Sequence, residues 1–117
     1  MSMDLVAAIA GKAMDGLYAR STALAHNVAN ANATSFSPLR VTFEDALASA
    51  AAVRPGETAA ARLERIEAVR PHTVATADAL RLDREIADAS QTSARYSVLA
   101  GVLARSLQLR LLSVRGS

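Results

Sequence analysis

The side chains best suited to chemistry in this sequence are two histidines, a run of carboxylates and a cluster of asparagines. His26 and His72 fall in different segments, and neither has a partner at H-E-x-x-H or a similar metal-ligand spacing. Asp83, Glu85 and Asp88 could form a carboxylate pair for acid–base work or an ion site. Arg81 and Arg84 stand among them, however, and carboxylates that open a helix favour the positive end of its dipole. The stretch "AIAGKAMDG" lacks the first glycine of a phosphate-binding loop, and no serine lies in a G-x-S-x-G elbow. Cysteine is absent, which removes thiolate chemistry, disulfides and cysteine-ligated metals. The expectation is a protein that is not an enzyme and uses no cofactor, metal or small-molecule substrate.

The asparagines lie in Ala23 to Pro38, "ALAHNVANANATSFSP". Asn27, Asn30 and Thr34 are spaced three and four apart, so a helix would set them in a polar stripe beside Leu24, Val28 and Ala31. Asparagine also tolerates the left-handed backbone that closes helices. The patch therefore reads as the end of a helix that lends hydrogen bonds to its neighbours. Phe36 is the one large apolar group there to anchor the following loop.

Positioning these groups falls to helices. The chain has 117 residues, one domain's worth, of which 51% are hydrophobic but only 3% aromatic. Much of the apolar content is alanine, the best helix former and a poor filler of cores. A chain so composed draws part of its stability from neighbouring chains. Met3, Ala7, Ala10, Met14, Leu17, Ser21, Leu24, Val28 and Ala31 alternate at four and three, the repeat of a coiled-coil seam or of an ordinary amphipathic helix in a bundle. Gly11 and Gly16 each weaken that helix by up to about 1 kcal/mol. The same spacing returns through Leu82, Ile86, Ala89, Ser93, Tyr96, Ala100, Leu103, Leu107, Leu111 and Val114. Asp83 and Glu85 open this second helix, and Arg105, Arg110, Arg115 and Gly116 close it.

Between them, Pro38, Pro55, Gly56 and Pro71 break the chain. "TFEDALASAAAV" reads as a short helix with Thr42 as N-cap and Asp45 completing a loose capping box. In "ETAAARLERIEAVRPHTVATADA", Leu63, Ile66 and Val69 have helical spacing while the threonines and Pro71 favour an extended segment. The expected fold is mainly α: long N- and C-terminal helices pairing as a coiled-coil-like bundle, with an irregular middle carrying a short helix. Its parts are 1–33, 34–80 and 81–117, within one structural unit.

Net charge is +2, and twelve of the thirteen basic residues are arginines spread along the chain, so there is no nucleic-acid-binding tail. The C-terminal arginines could meet phosphate or a membrane surface, but leucines dilute them and stacking aromatics are lacking. No uninterrupted run approaches the roughly 20 apolar residues of a membrane span. The first seventeen residues lack a basic n-region, and Lys12 and Asp15 interrupt them, so cytoplasmic residence or export without a cleaved signal is expected.

The asparagine-rich stretch resembles the N-terminal signature of bacterial flagellar rod and hook proteins, an N-[ILV]-A-N-A box followed by a T-P-G-Y or T-T-G-F turn. Asn27, Val28, Ala29, Asn30 and Ala31 match the box, and Phe36 falls on the turn's aromatic. Ser35 stands where that turn has glycine, and Ser37 where lysine is usual. "VTFEDAL" is similar to the "[VI]-D-F-x-x-x-L" of proximal rod proteins of the FlgB type, through Val41, Phe43 and Leu47. "LRLDREIADASQTSARYSVL" is similar to their "V-D-L-D-x-E" and the tyrosine-bearing helix behind it, through Leu82, Asp83, Glu85 and Tyr96. The family's Asp-Gly-Asn ahead of this motif is missing, and Arg81 stands at an aspartate position.

The resemblance implies a structural subunit of the flagellar basal body. It would be exported by the type III apparatus without a cleaved signal and stacked helically through its terminal helices into a torque-transmitting tube in the periplasm. Implied partners are copies of itself, other rod proteins, the inner-membrane ring or its rod adaptor, and the export apparatus. Implied assembly contacts are Asn27, Asn30, Ala31, Phe36, Phe43, Leu82, Asp83, Glu85, Tyr96, Leu103 and Leu107. The residues by themselves also fit a second class, a soluble helical adaptor that binds one partner helix.

Overall fold

A computed structural model describes residues 3–116, so residues 1, 2 and 117 of the outer segments expected from sequence lie outside the described part. The elements in chain order are α1 (Met3–Ala29), β1 (Leu39–Thr42), α2 (Glu44–Ala51), α3 (Ala59–Glu67), β2 (His72–Ala75) and α4 (Leu82–Arg115). The protein is mainly helical, with the long C-terminal helix packed on the N-terminal one. Asn27 meets Glu85 at one end of the pair and Asp4 meets Arg110 at the other, so α1 and α4 run antiparallel.

α1 is the central element. α4 lies along one side of it, and β1, α2 and α3 lie along the other. The result is a plank of 61 × 31 × 14 Å, little more than one helix thick. Its radius of gyration is 17.4 Å, against about 13 Å for a compact chain of this length.

The middle segment is more ordered than sequence suggested. The ambiguous stretch resolves into both of its alternatives. Helix α3 takes the Leu63 and Ile66 spacing, and strand β2 takes the threonine-rich part beyond Pro71, pairing antiparallel with β1 from Leu39 opposite Ala75 to Thr42 opposite His72. That pairing also corrects the expected cap of α2. Thr42 is held in β1, so Phe43 becomes the N-cap residue, with no side-chain bond, and no capping box forms. The cap instead appears on α3, where Ala61 N–H donates to Thr58 Oγ1 at 3.1 Å. α2 is closed by its neighbour: Arg62 and Arg65 of α3 donate to the carbonyls of Ala50, Ala51 and Ala52, cations at the negative end of a dipole.

The core forms where α1 meets this middle segment. Leu5, Leu17 and Ala23 pack with Val41, Phe43, Leu47, Ala50 and the fully buried Ile66. Gly16 explains why Phe43 fits. A Cβ built on Gly16 would lie 2.3 Å from the Phe43 ring, so the helix-weakening glycine is the recess that receives the aromatic. Arg20 also lies over that ring, its guanidinium carbon 5.0 Å from the ring centre.

The two expected seams are only partly what packs. Ala10, Leu17 and Leu24 of α1 are buried as expected, but Ser21 and Val28 are open. On α4 the correction is larger. The buried positions are Glu85, Thr92 and Ser106, with Leu99 partly buried among them, so a largely polar row seven residues apart faces α1. Leu82, Ile86, Tyr96, Leu107, Leu111 and Val114, all expected in the seam, are exposed, and Leu103 is half-buried. Glu85 finds partners, whereas the Ser106 hydroxyl is buried without one.

One 18-residue window of α4 reaches a mean hydropathy of 1.3, so by length and composition this helix is long and apolar enough to cross a membrane, although arginines interrupt it. Arg95, Arg105 and Arg110 lie along it, and each would cost about 2.5–3.5 kcal/mol at a bilayer centre.

Gly16 and Gly11 offer a matched test. Gly16→Ala should lower stability by about 1–3 kcal/mol despite alanine's better helix propensity, because the Phe43 ring must move. Gly11→Ala has nothing within 4 Å and should raise stability by up to about 1 kcal/mol. Melting followed by circular dichroism reads both, and a Gly16→Ala protein as stable as the parent would refute the recess.

Candidate functional site

α1 ends where the asparagines begin, and Asn27 points inward. It is fully buried and forms a two-way bond with β1: Leu39 N–H donates to Asn27 Oδ1 at 2.8 Å, and Asn27 Nδ2 donates to the Leu39 carbonyl at 3.0 Å. The same amide nitrogen donates to Glu85 Oε2 of α4 at 2.9 Å. Arg40 Nη2 donates to the other carboxylate oxygen, Glu85 Oε1, at 2.7 Å. Asn27, Glu85, Arg40 and Leu39 thus tie the end of α1, the start of β1 and the first turn of α4 into one polar joint.

Burial sets the strength of this joint. Glu85 is fully buried and both its oxygens are hydrogen-bonded, one to a cation, which satisfies what an interior carboxylate requires. An apolar residue at 85 would spare the cost of burying charge but would leave Asn27 and Arg40 without their shared acceptor. The joint therefore specifies which turn of α4 meets which turn of α1.

A second, more open pair stands beside it. Arg20 grips Glu44 through two bonds of 2.7 Å and also donates to the Val41 carbonyl at 2.7 Å. The guanidinium hydrogen bonds hold the Glu44 carboxyl below the usual glutamate value of 4.5, against a smaller opposing effect of burial. Half of the Glu44 side chain is exposed, so solvent screening keeps its contribution modest.

The remaining expected residues divide by place. Asn30 folds back on the helix end, donating to the His26 carbonyl at 2.8 Å. Phe36 packs against the His26 ring, with centroids 5.4 Å apart, and anchors the loop as expected. The left-handed residue is none of the asparagines but Ser35, at φ 63°. Asn27, Phe43 and Glu85, read from the resemblance as contacts between subunits, are here buried inside one chain. Leu82, Asp83, Tyr96 and Leu107 remain exposed to an outside partner, and Asn30, Ala31 and Leu103 are half-buried. Sequence reasoning missed Gly16, Arg20 and Arg40. The only signal for them was a glycine inside a helix and two of many dispersed arginines.

No group of three or more His, Asp or Glu side chains among the described residues could hold a metal. A cavity of about 210 Å³ between α1, β1 and α4 is lined by three cations, Arg20, Arg40 and Arg95, and one carboxylate, Asp88; Arg20 and Arg40 are engaged by Glu44 and Glu85. The joint's chemistry is positional. Set against known proteins, the chain matches no family model, no curated protein and no solved structure.

Asn27→Ala would strand the Leu39 backbone groups and one oxygen of Glu85 in the interior. The expected loss is about 3 kcal/mol, read by urea unfolding, and a loss below about 1 kcal/mol would show that the joint is not structural. The Arg20–Glu44 pair makes a pH prediction. Because the folded pKa of Glu44 is depressed, its contribution is present above the usual 4.5 and disappears as pH falls through the folded value. Arg20→Gln should therefore destabilise at neutral pH and flatten the acid decline of melting temperature. A decline as steep as the parent's would count against the pair.

Proposed function

We propose that the chain is a structural subunit of the proximal rod of the bacterial flagellar basal body, assembling helically with copies of itself and other rod proteins. The observation that carries this reading is the exposed apolar seam of α4. Leu82, Ile86, Tyr96, Leu107 and Leu111 lie open along one long helix, a large apolar surface of the kind that marks an interaction site. Their spacing supports coiled-coil-like contact with a neighbouring subunit, while the row of Glu85, Thr92, Leu99 and Ser106 has the heptad period toward α1.

Two further observations support the resemblance on which the reading rests. Asn27 of the N-terminal box and Glu85 of the C-terminal D-x-E piece, 58 residues apart, are hydrogen-bonded to each other. Ser35, which stands at the motif's turn glycine, has the left-handed backbone that glycine adopts most easily. On this reading the terminal helices build a torque-transmitting tube in the periplasm, reached by type III export without a cleaved signal. The inner-membrane ring or its adaptor would be a neighbour at the tube's base. The joint and Phe43 fix the subunit's own shape, and Leu82, Tyr96, Leu103 and Leu107 meet its neighbours.

A soluble adaptor that binds a single partner helix uses the same exposed seam and is the second reading. Sedimentation separates the two, since an adaptor remains a monomer or closed dimer at concentrations where a rod subunit forms longer assemblies.

Leu107→Asp and Leu111→Asp change exposed positions and should leave the melting temperature of the monomer nearly unchanged. In cells the rod reading expects both variants to be exported but not incorporated, with swimming lost. Normal swimming would overturn it.

A further inference from the structure

β1 is bonded along both of its edges, whereas β2 is bonded along one. Thr76 N–H donates to the Pro38 carbonyl at 2.8 Å, so with Leu39 opposite Ala75 the hydrogen-bonded pairs of the ladder are Arg40–Val74 and Thr42–His72. The backbone groups of Leu39 and Val41 therefore point away from β2, toward α1. Side chains of α1 meet them there: Asn27 bonds both groups of Leu39, and Arg20 donates to the Val41 carbonyl. Thr73 and Ala75 are the matching positions on β2, and their N–H and C=O groups point outward. All four residues of β2 are exposed, and no hydrogen bond within the chain reaches these outward groups.

A bare edge is a template for another strand, and strands that remain unpaired usually carry a lysine, a proline or a bulge. Residues 72–75 carry none of these and keep a regular register. Two strands alone also make a marginal sheet. We infer that β2 of one copy pairs antiparallel with β2 of a second copy about a two-fold axis at Val74, joining the two sheets into one in the order β1–β2–β2–β1.

The residues around β2 select both the partner and the register. A two-fold axis at Val74 sets Thr73 opposite the second copy's Ala75, and each such pair exchanges both of its N–H···O bonds. Val74 then meets its own counterpart as a close, non-hydrogen-bonded pair of β-branched side chains. The same register brings Arg70 opposite Asp78 at each end. Both are exposed, and neither has an ion-pair partner within the chain, where Arg70 bonds only the carbonyls of Glu67 and Val69. An axis at Thr73 would place Pro71, which has no N–H, against Ala75, and an axis at Ala75 would place Thr73 against the bend at Ala77. Either shift also separates Arg70 from Asp78. A second copy of this chain thus supplies the complement, charge for charge, where an unrelated extended peptide supplies only backbone. The contact is isologous and closes after two copies. It uses no residue of α4, so it goes beyond the proposed function and stands or falls apart from it.

Ala75→Pro is the selective variant. It removes an outward N–H that β1 does not use, so the melting temperature should hold while the dimer weakens about tenfold or more. Asp78→Arg sets like charges opposite each other and should weaken the dimer several-fold, and adding Arg70→Asp should restore it. Sedimentation reads each variant, in the parent chain and in Leu107→Asp protein, whose altered α4 seam keeps longer assemblies from obscuring a closed dimer. Register is read by oxidation, because the sequence has no cysteine of its own. His72→Cys and Thr76→Cys, made as separate full-length proteins, should link to each other when mixed but not to themselves, since like positions lie about 13 Å apart. A chain that stays monomeric at every concentration would overturn the inference. So would a dimer that Ala75→Pro leaves intact, or like-with-like disulfides as the main products. These outcomes separate from those for the rod. A β2 dimer in a protein dispensable for swimming would keep this contact and remove the rod reading, and swimming lost through Leu107→Asp without any β2 dimer would do the reverse.

Discussion

One carboxylate holds the architecture together. Glu85 is buried without exposure at the start of α4, and its two oxygens are shared between the Asn27 amide and the Arg40 guanidinium. Interior charge tolerates few arrangements, because removing either partner leaves a group whose desolvation nothing offsets. The joint therefore fixes the axial and rotational setting of α4 against α1. Much of the rest follows: once Glu85 faces inward, the positions seven residues on, Thr92, Leu99 and Ser106, face inward too, and the leucines at other phases turn out.

That consequence explains where sequence reading succeeded and where it failed. The two long helices, their ends and the first-turn carboxylates were legible from period and composition. So was a helix end at the asparagines, with Phe36 holding the loop behind it. The face of α4 that packs was not legible. Counting apolar residues at three and four selects the greasiest stripe, Leu82 to Val114, yet the intrachain contact is chosen by one charge–amide bond and by small side chains that let the helices approach. Hydrophobic periodicity indicates that a helix has a partner without saying whether the partner is in the same chain.

The middle segment was under-read for a different reason. Strands of four residues, Leu39–Thr42 and His72–Ala75, are too short for a period-2 signal and are stabilised by each other across the 29 residues between them. Thr42 was assigned to a helix cap because its local chemistry suits one, and the strand pairing outweighed that preference. Gly16 was read as a weakness in α1. Its meaning lay with Phe43, 27 positions away, and no local rule could have supplied it.

The placement of the joint at one extreme of α4 also has a mechanical side. Arg40–Glu85 is the hydrogen-bonded link between α4 and the middle segment, and some 26 residues, or about 39 Å of helix, separate Glu85 from Leu111. Along that length α4 is held to α1 by Thr92, Leu99 and Ser106 and by the exposed Asp4–Arg110 pair. A sideways load near Leu111 therefore acts through a long lever on a short, stiff fulcrum. The distal helix would yield first, while α1 and the Phe43 core keep their geometry. A chain made this way can flex its distal helix without disturbing the fold of its core.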